Sequence, residues 1–178
     1  GEHTSRVGDM CAEIAHELGQ DPAWSERLRL TARLHDIGKV AIPDSILLKP
    51  GPLTPAEFEV MKTHTTLGAR ILSGSTSPLV QLAEEVALNH HERWDALGYP
   101  NQIGATDVPL SGRICAVADV FDALTSERVY KKAWTVDDAV RYIARAAGTQ
   151  FDPTVVKAFM HIAQSRLVTD PHFADSIR

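Results

Sequence analysis

The chain has 178 residues, of which 44% are hydrophobic, 23% charged and 6% aromatic, enough for one domain with a sizeable core. Its net charge is −5 and its pI near 5.9, which argues against a DNA-binding or polybasic membrane-surface protein and leaves any anionic ligand dependent on a local cationic site. No apolar run approaches the roughly 18 residues of a membrane span, no signal peptide is visible, and Cys11 and Cys115 sit in apolar runs as expected of reduced thiols in a cytoplasmic protein.

The chain opens on Gly1 without an initiator Met, as a segment cut from a longer protein would. Residues 3–18 carry Val7, Met10, Ile14 and Leu18 at three- to four-residue spacing, which predicts an amphipathic helix. Asp21-Pro22 is an N-cap and first-turn pair, and the helix it opens is predicted to run to Ile37, before Gly38. KPGPLTP at 49–55 predicts a loop, after which Thr54 and Glu57 cap a helix over 55–72. SGSTSP at 73–78 reads as a linker, followed by a helix to about His91. Residues 95–109 are turn-rich, and helices are predicted over 110–126, 135–147 and 153–165. No β-branched alternation suggests a sheet. The expected fold is all-α, with one helical domain over 1–167 and a loose tail over 168–178.

The residues that can carry chemistry lie on the apolar stripes of these helices, where a polar group is costly without a partner. His3 falls on the Val7/Met10/Ile14 face, and His35 follows Trp24, Leu28 and Thr31, with Asp36 beside it. His64 is in line with Val60, Leu67 and Ile71; His90 continues Leu79, Leu82 and Val86, and His91 continues Ala83 and Ala87. In LSGRICAVADVFDALTSER, Ile114, Val117, Phe121 and Leu124 fill one side, while Cys115, Asp119 and Asp122 form another stripe. Asp119 in so apolar a helix calls for a compensating charge. Imidazole and carboxylate donors together suit Fe, Mn, Zn or Ni, and the lack of cysteine ligands argues against a structural zinc site. There are more candidate ligands than one ion needs, so two or more ions are expected. His16, His161 and His172 fall outside the pattern and read as ordinary histidines.

LHDIGK around His35-Asp36, the Met61-to-His64 segment, His90-His91-Glu92, Gly98-Tyr99-Pro100, Asp119 with Asp122, and RVYK at 128–131 occur in that order. Together they resemble the HD-GYP family, a branch of the HD phosphohydrolases, from His3 to about Phe159. The resemblance implies a helical HD-type bundle with the GYP loop at its site. It also implies hydrolysis of cyclic di-GMP to pGpG or GMP, and two or three divalent ions, usually iron or manganese. The implied metal ligands are His35, Asp36, His64, His90, His91 and Asp119, with His3 on a third ion where one is present. Lys39, Tyr99, Arg128 and Lys131 match substrate contacts. An upstream receiver or other sensor domain, and a diguanylate cyclase or other signalling partner, are further expectations.

The mechanism expected on this basis uses a metal-bridged hydroxide: two ions about 3.5–4 Å apart lower the pKa of a bridging water to roughly 7 and polarise a phosphoryl oxygen. Asp36 is expected to bridge the ions, Asp119 to orient the hydroxide, and Lys39 to meet a phosphate oxygen or the leaving group as a point charge. Arg128 can hold phosphate bidentately. Asp122 is expected to hold the other N–H of a ligand histidine, His90 and His91 to serve different ions, and Tyr99 to stack on guanine. The alternative is a signalling module that keeps the fold and binds nucleotide or a partner without useful turnover. Its motive is the loop, where the family pattern has glycine at Ala96 and a small polar residue at Leu97. A positive φ at Ala96 would cost about 1 kcal/mol, so a slow enzyme with a mobile 93–104 segment is expected.

Overall fold

The apolar stripe of residues 3–18 folds as helix α1 (Glu2–Glu17), which buries Val7, Cys11 and Ile14 against the middle of the molecule. The computed structural model describes residues 2–127 and 133–169, with side chains through Arg166. The tail expected from 168 therefore lies almost wholly outside the described residues. Helix α2 (Pro22–Thr31) starts where Asp21 accepts a hydrogen bond from the Trp24 N–H at 3.0 Å, satisfying one of the unpaired donors of its first turn. The remaining α-helices are α3 (Asp44–Leu47), α4 (Pro55–Lys62), α5 (His64–Leu72), α6 (Pro78–Asn89), α7 (Leu110–Thr125), α8 (Val136–Arg145) and α9 (Pro153–Thr169). Among the described residues there is no strand, and no helix is long and apolar enough to cross a membrane.

Helix α7 is the central post. It packs against α1, α6, α8 and α9, and Ile114, Val117 and Phe121 join Leu28, Val86, Val155 and Phe159 in one core. The Phe121 and Phe159 rings meet edge-on with centroids 5.1 Å apart. Burying a side chain of this kind contributes on the order of 2 kcal/mol each, which gives the ligand-bearing helices a rigid support.

Two of the long helices expected from the sequence are broken, and both breaks fall at the chemistry. The 22–37 run leaves α geometry after Thr31 and continues as 3-10 turns over Ala32–Leu34 and Ile37–Ala41, with His35-Asp36 between them. The second turn lies directly on α5: a Cβ at Gly38 would sit 1.9 Å from the His64 carbonyl oxygen and 2.4 Å from the Gly68 nitrogen. Only a residue without a side chain permits that approach. The 55–72 run divides at Thr63, whose hydroxyl donates back to the Val60 carbonyl at 2.6 Å, a local bond that competes with helix continuation. The expected cap of α4 is present in full: Glu57 N–H donates to the Thr54 hydroxyl at 3.3 Å and Thr54 N–H to the Glu57 carboxylate at 2.7 Å. The proline-glycine loop expected to begin at 49 is preceded by the single turn of α3, which sequence periodicity did not separate from its surroundings.

The 93–109 segment is more firmly tied than expected. Trp94 and Asp95 N–H groups donate to the Gln150 and Thr149 carbonyls at 3.2 and 2.9 Å, and Ala105 N–H to Trp94 at 2.9 Å. Arg93 clasps Asp95 through two bonds of 2.9 and 2.6 Å. Within this frame Ala96 has φ +60°, Gln102 +55° and Ala105 +48°, so the loop does hold a left-handed alanine at the position where one was expected.

Candidate metal centre

His35, His64 and His90 are buried at helix breaks and ends, where carbonyls of the preceding turn come within reach of the ring. Each ring engages them. His35 Nδ1 lies 2.7 Å from the Ala32 oxygen, His64 Nδ1 2.8 Å from Met61, and His90 Nδ1 3.1 and 3.0 Å from Val86 and Ala87. A carbonyl can only accept, so Nδ1 donates in all three, and Nε2 is the atom turned toward the centre.

Those Nε2 atoms meet carboxylate oxygens and one another. Asp36 Oδ1 is 3.3 Å from His64 Nε2 and 3.8 Å from His90 Nε2, while its Oδ2 is 3.3 Å from His35 Nε2. Asp119 Oδ1 is 3.6 Å from His35 Nε2 and 3.7 Å from His3 Nε2. His64 and His90 bring their Nε2 atoms to 3.3 Å. His35 Nε2 and Asp36 Oδ1 are buried with no hydrogen-bond partner. Burying such atoms unpaired costs stability, and neutral Nε2 lone pairs repel each other and the oxygens beside them. A divalent cation removes both costs at once. The donors fall into two groups, Asp36/His64/His90/His91 and His3/His35/Asp119, with the ligand atoms of each lying within 4.8 Å of one another. His90 and His91 therefore share a group, where different ions had been expected. Imidazole nitrogen with carboxylate oxygen and no thiolate fits a first-row divalent ion.

The electrostatics favour positive charge at this point. Burial opposes charging His35, but the Asp36 and Asp119 carboxylates and the Cys115 sulfur outweigh it and raise its pKa to about 10. Burial also opposes the Asp36 charge, yet His35, His90 and Lys39 hold that carboxyl far below its ordinary range. His64 is pushed down to about 4 by burial and by the neighbouring His90, against the pull of the Met61 carbonyl. His91 is pushed down to about 2 by burial, His90 and His64.

Around the ligands the structure places the other expected residues unevenly. Lys39 Nζ is 2.5 Å from Asp36 Oδ2, so its ammonium rests on the carboxylate between the two groups. The Tyr99 ring stacks on His91 at 4.7 Å and 29°, one face thus covered by a histidine. Asp122 is buried, and His3 Nδ1 donates to its Oδ2 at 2.5 Å. Arg128 and Lys131 lie outside the described residues. Two residues were not singled out from the sequence. Arg6 grips Asp122 from the far side, Nε to Oδ1 at 2.5 Å, and also donates to the Ser126 hydroxyl at 2.9 Å. Its signal was the three-residue spacing from His3, which puts both on one helix face. Glu92 is buried and accepts the Asn101 N–H at 2.6 Å, anchoring the far arm of the GYP loop, and burial raises its carboxyl pKa. Its neighbourhood in the His-His-Glu triplet was noted, but a loop anchor has no sequence period.

Two cavities flank the cluster and share His91 and Asp119. One, of about 560 Å³, is lined by His3, Arg6, Asp36, Lys39 and Asp122. The other, of about 380 Å³, is lined by Phe58, Lys62, Tyr99 and Gln102. An HD domain family model matches residues 1–155. The chain belongs to the HD domain family. Its HD-GYP character is carried by relatives as well. A cyclic di-GMP phosphodiesterase of Thermotoga maritima is 50% identical over 168 residues, 94% of this chain and 45% of that protein. A 3′3′-cGAMP-specific phosphodiesterase of Vibrio cholerae is 43% identical over 160 residues, covering 90% and 31%. This HD domain chain thus spans less than half the length of either relative. An HDG"Y"P protein from Bdellovibrio bacteriovorus shares the fold at a TM-score of 0.71, with 19% identity over 91% of this chain and 51% of that one.

Proposed function

We propose that this HD domain is a metal-dependent phosphodiesterase that hydrolyses cyclic di-GMP to pGpG, GMP or both. The observation that carries the proposal is the pair of donor groups joined by the 3.3 Å approach of Asp36 to His35, with His35 Nε2 and Asp36 Oδ1 buried and left without hydrogen-bond partners. Asp36, His64, His90 and His91 would hold one ion, and His35, Asp119 and His3 a second, with Asp36 offering one oxygen to each side; the donor set suits iron or manganese. Bound divalent ions supply a nucleophile near neutral pH and Lewis-acid polarisation of a phosphoryl oxygen.

The chain's own residues do the rest. Nδ1–H donation to main-chain carbonyls holds three imidazoles with Nε2 turned toward the centre. Asp122, gripped by Arg6, holds His3 in the same sense. In a chain of net charge −5, Lys39 and Arg6 supply local positive charge to the larger cavity, and Lys39 is exposed enough to swing from Asp36 to an anionic phosphate oxygen. Tyr99, packed on His91, walls the cluster from solvent on the opposite side. Arg128 and Lys131 are proposed as further phosphate contacts, and signalling in the cytoplasm beneath a sensor domain as the setting. The test is metal analysis of anaerobically purified protein together with chromatography of cyclic di-GMP digests. At least two ions per chain and formation of pGpG or GMP are expected; tight nucleotide binding without products would favour the binding-module alternative.

A further inference from the structure

We infer that Phe58 and Lys62 form a purine subsite beside the metal centre, in which Lys62 selects a purine carrying a 6-oxo group. The inference rests on the cyclic-dinucleotide reading above. The two residues are one helical turn apart on α4 and so share a face. Phe58 is 46% exposed, a large ring left in water at the edge of the cavity that reaches His91 and Asp119. Lys62 Nζ stands 5.6 Å from the Phe58 ring centroid and 5.8 Å from that of Tyr99, and the two rings meet at 82° with centroids 6.3 Å apart. An apolar corner is thus capped by a cation. The pairing of Lys62 with Glu59, at 2.7 Å, joins it to an exposed carboxylate and is weak enough to yield to a ligand.

A phosphodiester placed at the cluster sends one nucleoside into each flanking cavity. Among the described residues, the larger cavity is lined mostly by charged groups and offers no aromatic surface but His3 and His91. The smaller one offers the half-exposed Phe58 ring at the corner with Tyr99, and base stacking on such a ring is worth roughly 1–3 kcal/mol. Stacking alone does not distinguish purines. An ammonium does: in guanine, O6 and N7 are adjacent acceptors, whereas in adenine the 6-amino group turns a donor toward the cation. A base edge that enters the corner between the Phe58 and Tyr99 rings meets Lys62 Nζ, which stands 5.6 and 5.8 Å from their centroids.

The test compares the metal-loaded parent with Phe58→Ala and Lys62→Met, using metal analysis and calorimetric affinities for cyclic di-GMP and cyclic di-AMP. Both variants should keep parental metal content. Phe58→Ala should weaken both ligands about tenfold. Lys62→Met should weaken cyclic di-GMP about tenfold while leaving cyclic di-AMP within about twofold. Parental cyclic di-GMP affinity in both variants, with metals retained, overturns the subsite and leaves the phosphodiesterase reading standing. A parent that shows the expected affinity pattern but no turnover overturns the enzyme reading and leaves the subsite standing.

Discussion

At the floor of the centre, His35, His64 and His90 are 0–2% exposed, and each is aimed by a main-chain carbonyl of its own turn. At the rim, Phe58 and Leu97 are 46% and 77% exposed, and the half-exposed Lys39 side chain reaches in to rest on Asp36. The floor is therefore set by backbone that cannot move without unfolding a turn, while the rim is set by side chains free to change partners. Preorganised ligands below and adjustable contacts above let one scaffold fix the chemistry while tuning what it accepts.

The sharpest way to break the comparison is at Asp36, the one carboxylate that reaches both donor groups. Asp36→Ala should empty both, abolishing metal binding and turnover together, while circular dichroism keeps its helical signal because the core lies elsewhere. Parental metal content in that variant would show that Asp36 does not join the groups. Lys39→Ala touches the rim. It should keep its metals and lose turnover by roughly 10–1000-fold, since removing a phosphate contact costs transition-state binding only. Loss of metal on that change would move Lys39 to the floor.

The metal-free protein tests the floor by its pH dependence. His64 and His91 refuse protons down to pH values of about 4 and 2, whereas the unfolded chain takes them up near 6.5. The unfolded state then binds more protons, so stability falls as pH drops below 6.5. His35 has the opposite sign: it keeps its proton to about pH 10, so its contribution is complete below 6.5 and is lost as pH rises toward 10. Urea midpoints of chelator-treated protein should therefore peak near neutrality. A profile that climbs steadily from pH 4 to 9 would contradict the charges assigned to the floor. The smallest effect belongs to the loop. Ala96→Gly relieves a φ of +60° and should stabilise the protein by up to about 1 kcal/mol in thermal unfolding. Combined with Leu97→Ser, it should raise turnover without altering metal content; unchanged kinetics would show that the tied loop already seats Tyr99.

The candidate ligands were legible in the sequence because a histidine or aspartate on an apolar stripe is conspicuous, and the spacing of α1, α6 and α7 survives in the fold. The breaks at Thr31 and Thr63 were not. The residues around them have ordinary helix propensity; the turn after the first break seats Gly38 on α5, and the second carries the bond from Thr63 to the Val60 carbonyl, neither of which periodicity registers. The same holds for the rim. The pairing of Trp94 and Asp95 with the turn at 149–150, and the grip of Arg6 on Asp122 across 116 positions, are products of packing. Tyr99 lies against His91, a packing contact that the sequence pattern does not reveal.

The contact of Gly38 with the His64 carbonyl bears on how this chain can diverge. Where spacing is fixed by interlocking side chains, a second substitution can restore what a first one disturbs. Here main chain rests on main chain, and a methyl group at position 38 would overlap an oxygen that belongs to no side chain. No neighbouring replacement can make room, so the HD dipeptide and His64 would be prised apart in one step. Gly38 is then an irreplaceable spacer: drift can reshape the rim around it, but the aperture between those ligands passes unchanged to every working descendant.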